Sequence, residues 1–305
     1  MSISATHWRL FSEVINGDTY TGVDDIEFHT EIGGAQAAVG GTVIASGVDG
    51  AYAAANAFDG DSATHWQVGV DHDQWIGYIF PSAVKVVEVV VHGSIYQNQT
   101  PKCWRLEYST DGGTTWQVAF YVTGGSAGYA SHEVRTFQWP IGLTRSTARY
   151  WALWGYGTEW PDVGILEFRT TVSGATATGS GTASASDNNG ATNVPANAFD
   201  GNTATRWQGD SSNYHSTHHY LAYDFGSAQY VAECAVVATS NEPGRGFAYG
   251  AAFYSSDGAV WLLGSALQTF VAWTTGGQTQ AFVTSDGETG AVGGRRRRFG
   301  IFAGG

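Results

Sequence analysis

The stretch Asn56 to Gln67, NAFDGDSATHWQ, returns as NAFDGNTATRWQ at Asn197 to Gln208. Copies this similar, 141 residues apart, do not arise from composition, and they point to a duplication. Within the stretch, Phe58 and Trp66 are apolar anchors on either side of Asp59-Gly60-Asp61-Ser62. Asp and Ser side chains bond to their own backbone and glycine admits positive φ, so the run reads as a tight loop pinned at both ends. Its carboxylates and the Thr64 hydroxyl are also the hard oxygen ligands that Ca²⁺ takes, although an Asx-rich turn requires no metal.

Working outward, His7-Trp8-Arg9-Leu10 and Asp25-Ile26-Glu27-Phe28 reappear as Tyr150-Trp151-Ala152-Leu153 and Ile165-Leu166-Glu167-Phe168. Trp75 to Phe80 pairs with Tyr220 to Phe225, and Glu107 to Gly112 with Phe253 to Gly258. The offsets stay between 140 and 146, so the repeat runs through nearly all of both halves. Segments such as Val84 to Val91, Trp104 to Tyr108 and Val231 to Ala238 are β-branched, aromatic or alternating, and they end in Gly, Pro, Asn or Asp-Gly. Asp-Gly after Tyr-Ser is a hairpin signal. Ala51 to Ala57 has room for one helical turn at most. The expected fold is all-β, two tandem β-sandwich jelly rolls followed by a short tail.

Composition agrees with this. The 305 residues suffice for two domains with their own cores, and 42 glycines with few charged residues suit turn-rich sandwiches. The net charge is −13, and four of the fourteen basic residues sit together at Arg295 to Arg298. The acidic body would repel a phosphate backbone, so nucleic acid is not expected as a partner. No stretch approaches a membrane span, and the N-terminus lacks a basic segment followed by an apolar run. Cys103 and Cys234 fall at non-equivalent places and are expected as buried thiols.

These motifs, in this order, resemble the discoidin, or coagulation factor V/VIII type C, family of galactose-binding-like jelly rolls. Its A-x-D-G-x-x-x-T-x-W loop, W-I-G-Y-D-F-like strand, L-x-Y-S-x-D-G-x-x-W hairpin and closing A-R-Y-W-x-L and E-I-x-F strands are all present. The likeness covers about 37 to 172, and 173 to 285 without the last two strands. Because the chain opens with the pair that ends a family domain, two closures are open. Either each repeat closes on itself as a circular permutant, 1–143 and 144–285 with a Gly/Arg-rich tail at 286–305, or 37–172 is one continuous domain and 1–36 completes 173–285. The coincidence of the repeat boundary with the chain start, and the acid pattern, favour self-closure.

The resemblance implies a structural Ca²⁺ held by Asp25, Asp59, Asp61 and Thr64 in the first copy, and a depleted set, Asp200, Asn202 and Thr205, in the second. It also implies sugar binding by loops at one end of the sandwich, where an aromatic platform meets hydrogen-bonding groups. The matching positions are Gln67, His92, Tyr96, Asn98 and Tyr20 in the first copy, and Gln208, Asn241, Arg245, Tyr156 and Trp160 in the second. Gln67 and Gln208 stand where galactose binders often carry His, which argues against galactose itself. His215, His218 and His219 resemble a zinc cluster, but the spacing fits no closed ligand set and reads as a solvated loop.

No nucleophile elbow, H-E-x-x-H helix or phosphate loop is present, so no enzyme activity is expected. The opening motif order and the arginine tail resemble discoidin-type proteins of bacteriophage virions. The expectation is a carbohydrate-binding adhesion module of a fibre, spike or decoration subunit, assembled in the host cytoplasm and displayed on the virion surface as a homo-oligomer. Its partner would be a host cell-surface glycan, with no membrane insertion. Arg295, Arg296, Arg297, Arg298, Phe299 and Phe302 would dock it to other virion proteins. The alternative is a purely structural virion subunit whose jelly rolls pack on neighbouring proteins.

Overall fold

Along Trp8-Arg9-Leu10-Phe11-Ser12 every second side chain is fully buried, the period of a strand with one face on a core. The computed structural model describes residues 3–15, 17–70, 73–123, 128–140, 143–156, 160–210 and 218–284. Over these residues the chain is all-β and antiparallel, with four short 3₁₀ turns. It divides into two compact units that separate between Trp139 and Pro140.

In the first unit, β1 (Ala5–Ile15) lies between β5 (Gln74–Val84) and β7 (Pro101–Ser109), with β3 (Thr42–Ala45) outside β5 and β8 (Gln117–Thr123) outside β7. The facing sheet has the order β4 (Trp66–Val68), β2 (Thr21–His29), β6 (Glu88–Gly93), β9 (Val134–Gln138). Inward residues of the two sheets meet between them. Phe28 of β2 sits 6.2 Å from Phe80, and Trp104 of β7 stands edge-on to Phe137 of β9 at 5.1 Å. Burial of such aromatic side chains is the main stabilising term of a sandwich core.

The second unit repeats the plan. β10 (Tyr150–Tyr156) lies between β15 (His218–Asp224) and β17 (Tyr249–Ser255), with β13 (Thr182–Ala185) outside β15. Both β18 (Val260–Leu263) and β19 (Gln268–Thr269) pair with β17. Opposite them β16 (Glu233–Val237) is flanked by β12 (Ile165–Arg169) and β20 (Thr279–Val283). A separate two-residue ladder joins β11 (Asp162–Val163) to β14 (Trp207–Gln208). In each unit the opening W-x-L strand pairs within its own unit, Trp8 with Tyr78 and Tyr108, Trp151 with Tyr223 and Tyr254.

The duplicated stretch occupies matching places. Ala54–Phe58 and Pro195–Phe199 are single 3₁₀ turns. Phe58 contacts Phe28 and Tyr78 at 5.8 and 5.4 Å, and Phe199 contacts Phe168 and Tyr223 at 6.3 and 4.8 Å. Trp66 and Trp207 are buried, each donating its indole N–H to a backbone carbonyl, Gly47 or Asp187. Cys103 and Cys234 are buried thiols. No helix among the described residues is long and apolar enough to cross a membrane. The tail residues Arg295 to Arg298, Phe299 and Phe302 lie outside the described residues, as does His215. His219 departs from the solvated-loop expectation. It sits on β15, buried, with Nδ1 3.2 Å from both Asp187 carboxylate oxygens, because strand alternation turns it inward.

Candidate functional site

The loop at Asp59 is held by its own side chains. Asp59 Oδ1 accepts the Asp61 N–H at 2.9 Å, Asp61 Oδ1 accepts the Ala63 N–H at 2.9 Å, and the Thr64 hydroxyl donates to Asp59 Oδ2 at 2.9 Å. The second unit closes identically through Asp200, Asn202 and Thr205, with Oδ1 of Asn202 accepting from Ala204. A carboxamide thus does what the Asp61 carboxylate does, so the loop needs neither the second charge nor an ion for its shape. Of the four donors expected for Ca²⁺, three are engaged in this closure on an exposed loop. Ca²⁺ takes six to eight oxygens directed at one point, more than the side chains of Asp59, Asp61 and Thr64 supply.

Asp25, the fourth, lies on β2, within electrostatic reach of Asp59. It is buried, its Oδ1 has no hydrogen-bond partner, and it lies opposite His92 in the β2–β6 register. Burial pushes its carboxyl up to about 6, opposed by His92 and reinforced by Glu27 and Asp59. His92 Nε2 is 2.9 Å from Glu27 Oε1, and Glu27 Oε2 is 2.9 Å from His29 Nε2. His29 Nδ1 is in turn 2.7 Å from Glu88. Burial works against a charged His29 ring, but its hydrogen bonds to the two carboxylates outweigh it and hold the ring above its ordinary value. His92, expected at a sugar-binding rim, is therefore part of this acid–imidazole ladder.

The rim of the first unit forms around a residue the sequence reading passed over. His65 stacks on Tyr52, with ring centroids 4.3 Å apart, and meets Tyr96 edge-on at 5.7 Å. His65 is buried and its Nε2 has no partner, as is also true of Gln99 Oε1. Tyr96 is 50% exposed, enough to offer a ring face or edge to a ligand. Asp24, fully buried, accepts from the Ile95 N–H at 3.0 Å and faces His132 Nδ1 at 2.6 Å, which fixes the loop carrying Tyr96. Gln67 is buried and donates to Asp49, Asn98 is exposed on the turn Gln97–Gln99, and Tyr20 is half-buried against Gly69.

The same end of the second unit is closed by its own charges. Gln208 is buried, donating to Asp162 at 2.7 Å and accepting from Asn189 at 2.5 Å. Arg206, at the place of His65, lies 3.3 Å from Asp162 and 3.6 Å from Glu242, which also pairs with Arg245 at 2.7 Å. Burial pushes the Asp162 carboxyl up to about 6 against the pull of Arg206 and Gln208. Asn241 donates to the Ala204 carbonyl. Trp160 is half-buried, and the Tyr156 side chain lies outside the described residues. The structure thus links Gln208 to Arg245 through Asp162, Arg206 and Glu242, whereas Asn241 bonds to the loop backbone and Tyr96 joins Tyr52 and His65.

Tyr52, His65, Asp24, Gln99, Asp162 and Arg206 were missed because each lies outside the quoted motifs or in a variable place within one. One signal was available: His65 and Arg206 are the most dissimilar pair between two otherwise near-identical twelve-residue stretches.

A search of the curated proteins and a search of the solved structures each found no match. Residues 42–150, from the start of β3 to the first residue of β10, match the F5/8 type C domain family, a binding module rather than a catalytic fold.

Proposed function

We propose that the protein is a non-enzymatic carbohydrate-binding module and that the rim of the first unit is its sugar site. The observation that supports this most directly is the corner made by Tyr52, His65 and Tyr96, with two buried polar atoms, His65 Nε2 and Gln99 Oε1, left without partners beside it. A pyranose has apolar C–H faces and a ring of hydroxyls. Aromatic surface takes the faces, and unpaired acceptors or donors take the hydroxyls. The second unit has its equivalent groups bonded to one another, so it is the weaker binder. Discoidin domains are often carbohydrate-binding modules, which agrees with the match to residues 42–150.

The setting we propose is a bacteriophage virion, as a fibre, spike or decoration subunit present in several copies and recognising a host surface glycan. This rests on the resemblance in motif order and on the Arg295 to Phe302 segment as a docking element. The test uses the full-length chain on an array of bacterial surface glycans. Tyr96→Ala and Tyr52→Ala should each weaken binding to any captured glycan by more than about tenfold, the scale of losing an aromatic platform. Arg245→Ala should leave it near the parent value. A chain that captures no glycan while still loading onto particles would favour the purely structural subunit instead.

A further inference from the structure

The β2–β6 ladder carries a second cluster that the sugar rim does not use. Its register sets Asp25 opposite His92, Glu27 opposite Val90 and His29 opposite Glu88. One ligand atom from each of Asp25, Glu27 and His92 lies within 4.8 Å of the other two. We propose that these three side chains form a binding site for a divalent transition-metal ion of the Zn²⁺ class.

Four observations carry it. Asp25 is 4% exposed with Oδ1 unpartnered, and an unpaired oxygen on a buried carboxyl is costly unless a cation or donor meets it. The surroundings are built to orient ligands. Glu27 is held by His29, His29 by Glu88, and Glu88 by the Gly33 N–H at 2.9 Å and the Gln138 amide at 3.0 Å, the chain of outer contacts that metal ligands need. The site is reachable, since the Glu27 and His92 side chains keep 28% and 22% of their exposure. Finally, the equivalent rung of the second unit is Ile165 opposite Val237. The ladder therefore forms without these polar groups, and their presence in the first unit is not a requirement of the fold.

The donor set selects the ion. One imidazole nitrogen with two carboxylates suits a first-row transition ion, whereas Ca²⁺ and Mg²⁺ prefer oxygen alone. Glu27 Oε1 and His92 Nε2 now share a proton across 2.9 Å. On binding, that proton leaves to solvent and the Nε2 lone pair turns to the metal, while Glu27 keeps its second oxygen on His29. This inference does not depend on the glycan reading.

The experiment titrates the full-length chain with Zn²⁺ calorimetrically and with Co²⁺ by visible absorption. The parent should bind one Zn²⁺ and give a Co²⁺ d–d spectrum with a nitrogen ligand. Asp25→Ile with His92→Val, which copies the rung of the second unit, should weaken binding at least about tenfold. His92→Gln, which retains hydrogen bonding to Glu27, is a second variant should the first fold poorly, and it should weaken binding similarly. Asp59→Asn with Asp61→Asn, and His215→Ala, should leave binding unchanged. The proposal is overturned by a parent that binds neither metal, by binding that survives both ladder variants, by binding lost in His215→Ala, or by Ca²⁺ binding that depends on Asp59 in place of Zn²⁺.

Discussion

At the rung that holds Glu88 in one unit and Glu233 in the other, the two units agree in geometry and differ in chemistry by one residue. Glu27 and Glu88 of the first unit flank His29, and Glu167 and Glu233 of the second flank Arg169. An arginine keeps its charge at any working pH, while an imidazole between two carboxylates is cationic only because they hold it so. Further along, Asp25 and His92 stand where Ile165 and Val237 stand. At these two rungs the second unit carries a fixed ion pair and an apolar pair. The first retains titratable and unpartnered groups both here and at its rim, where His65 replaces Arg206. The second unit keeps buried unpartnered atoms as well, Asp162 Oδ2 and His219 Nε2 among them, and an unsatisfied buried group in either unit calls for an explanation.

The strongest way to break the comparison is through the matched cores. Phe28→Ala and Phe168→Ala each remove a fully buried ring that touches the loop phenylalanine, and each should cost about 3–5 kcal/mol. Chemical denaturation followed by hydrogen exchange in each unit reads both. Costs that differ by more than about 2 kcal/mol would show that the two cores are not equivalent.

The charged lattice of the second unit makes a smaller, pH-dependent prediction. The folded Asp162 carboxyl is raised above its unfolded value of about 3.9, so its contribution is present below that pH and lost as pH rises through about 6. Asp162→Asn should therefore gain stability relative to the parent by ~1–2 kcal/mol at pH 7.5, allowing for partial solvent screening, and nothing at pH 4. Exchange protection of the Trp207 and Gln208 amides at the two pH values measures it. A variant equally destabilised at both would mean that Arg206 holds the ionised form and that burial does not dominate.

The smallest effect is expected at the loop. Asp61→Asn copies Asn202, whose Oδ1 makes the same bond to the residue two positions on. It should change stability by less than about 0.5 kcal/mol in metal-free buffer. A larger loss, or one that Ca²⁺ reverses, would restore the loop as an ion site.

Much of the architecture was legible because strand alternation, Asp-Gly turns and a twelve-residue echo are local or repetitive signals. Phe58 and Trp66 were placed as anchors from their positions on either side of the acid loop, and Trp66 is almost fully buried while Phe58 is half-buried. The candidate sites were legible only in part. His92 was assigned to a rim loop, yet it closes β6 and bonds to Glu27, a strand residue 65 positions earlier. No sequence period reports which two strands will be neighbours, so a cross-strand ligand set has no linear signature. Glu27, Asp24 and His132 escaped for that reason, and Tyr52 and His65 because their stacking depends on how a loop folds back over thirteen residues.

What the residues alone determined was the β class and the shape of the acid-flanked loop, since alternation and self-bonding Asx side chains act between near neighbours. The long-range packing decided the rest. It chose which carboxylates were buried beside which imidazoles, and it left Asp25 and His65 with unpaired atoms. Desolvation and partner choice belong to the whole folded surroundings of a group, and those come into being only when distant strands meet.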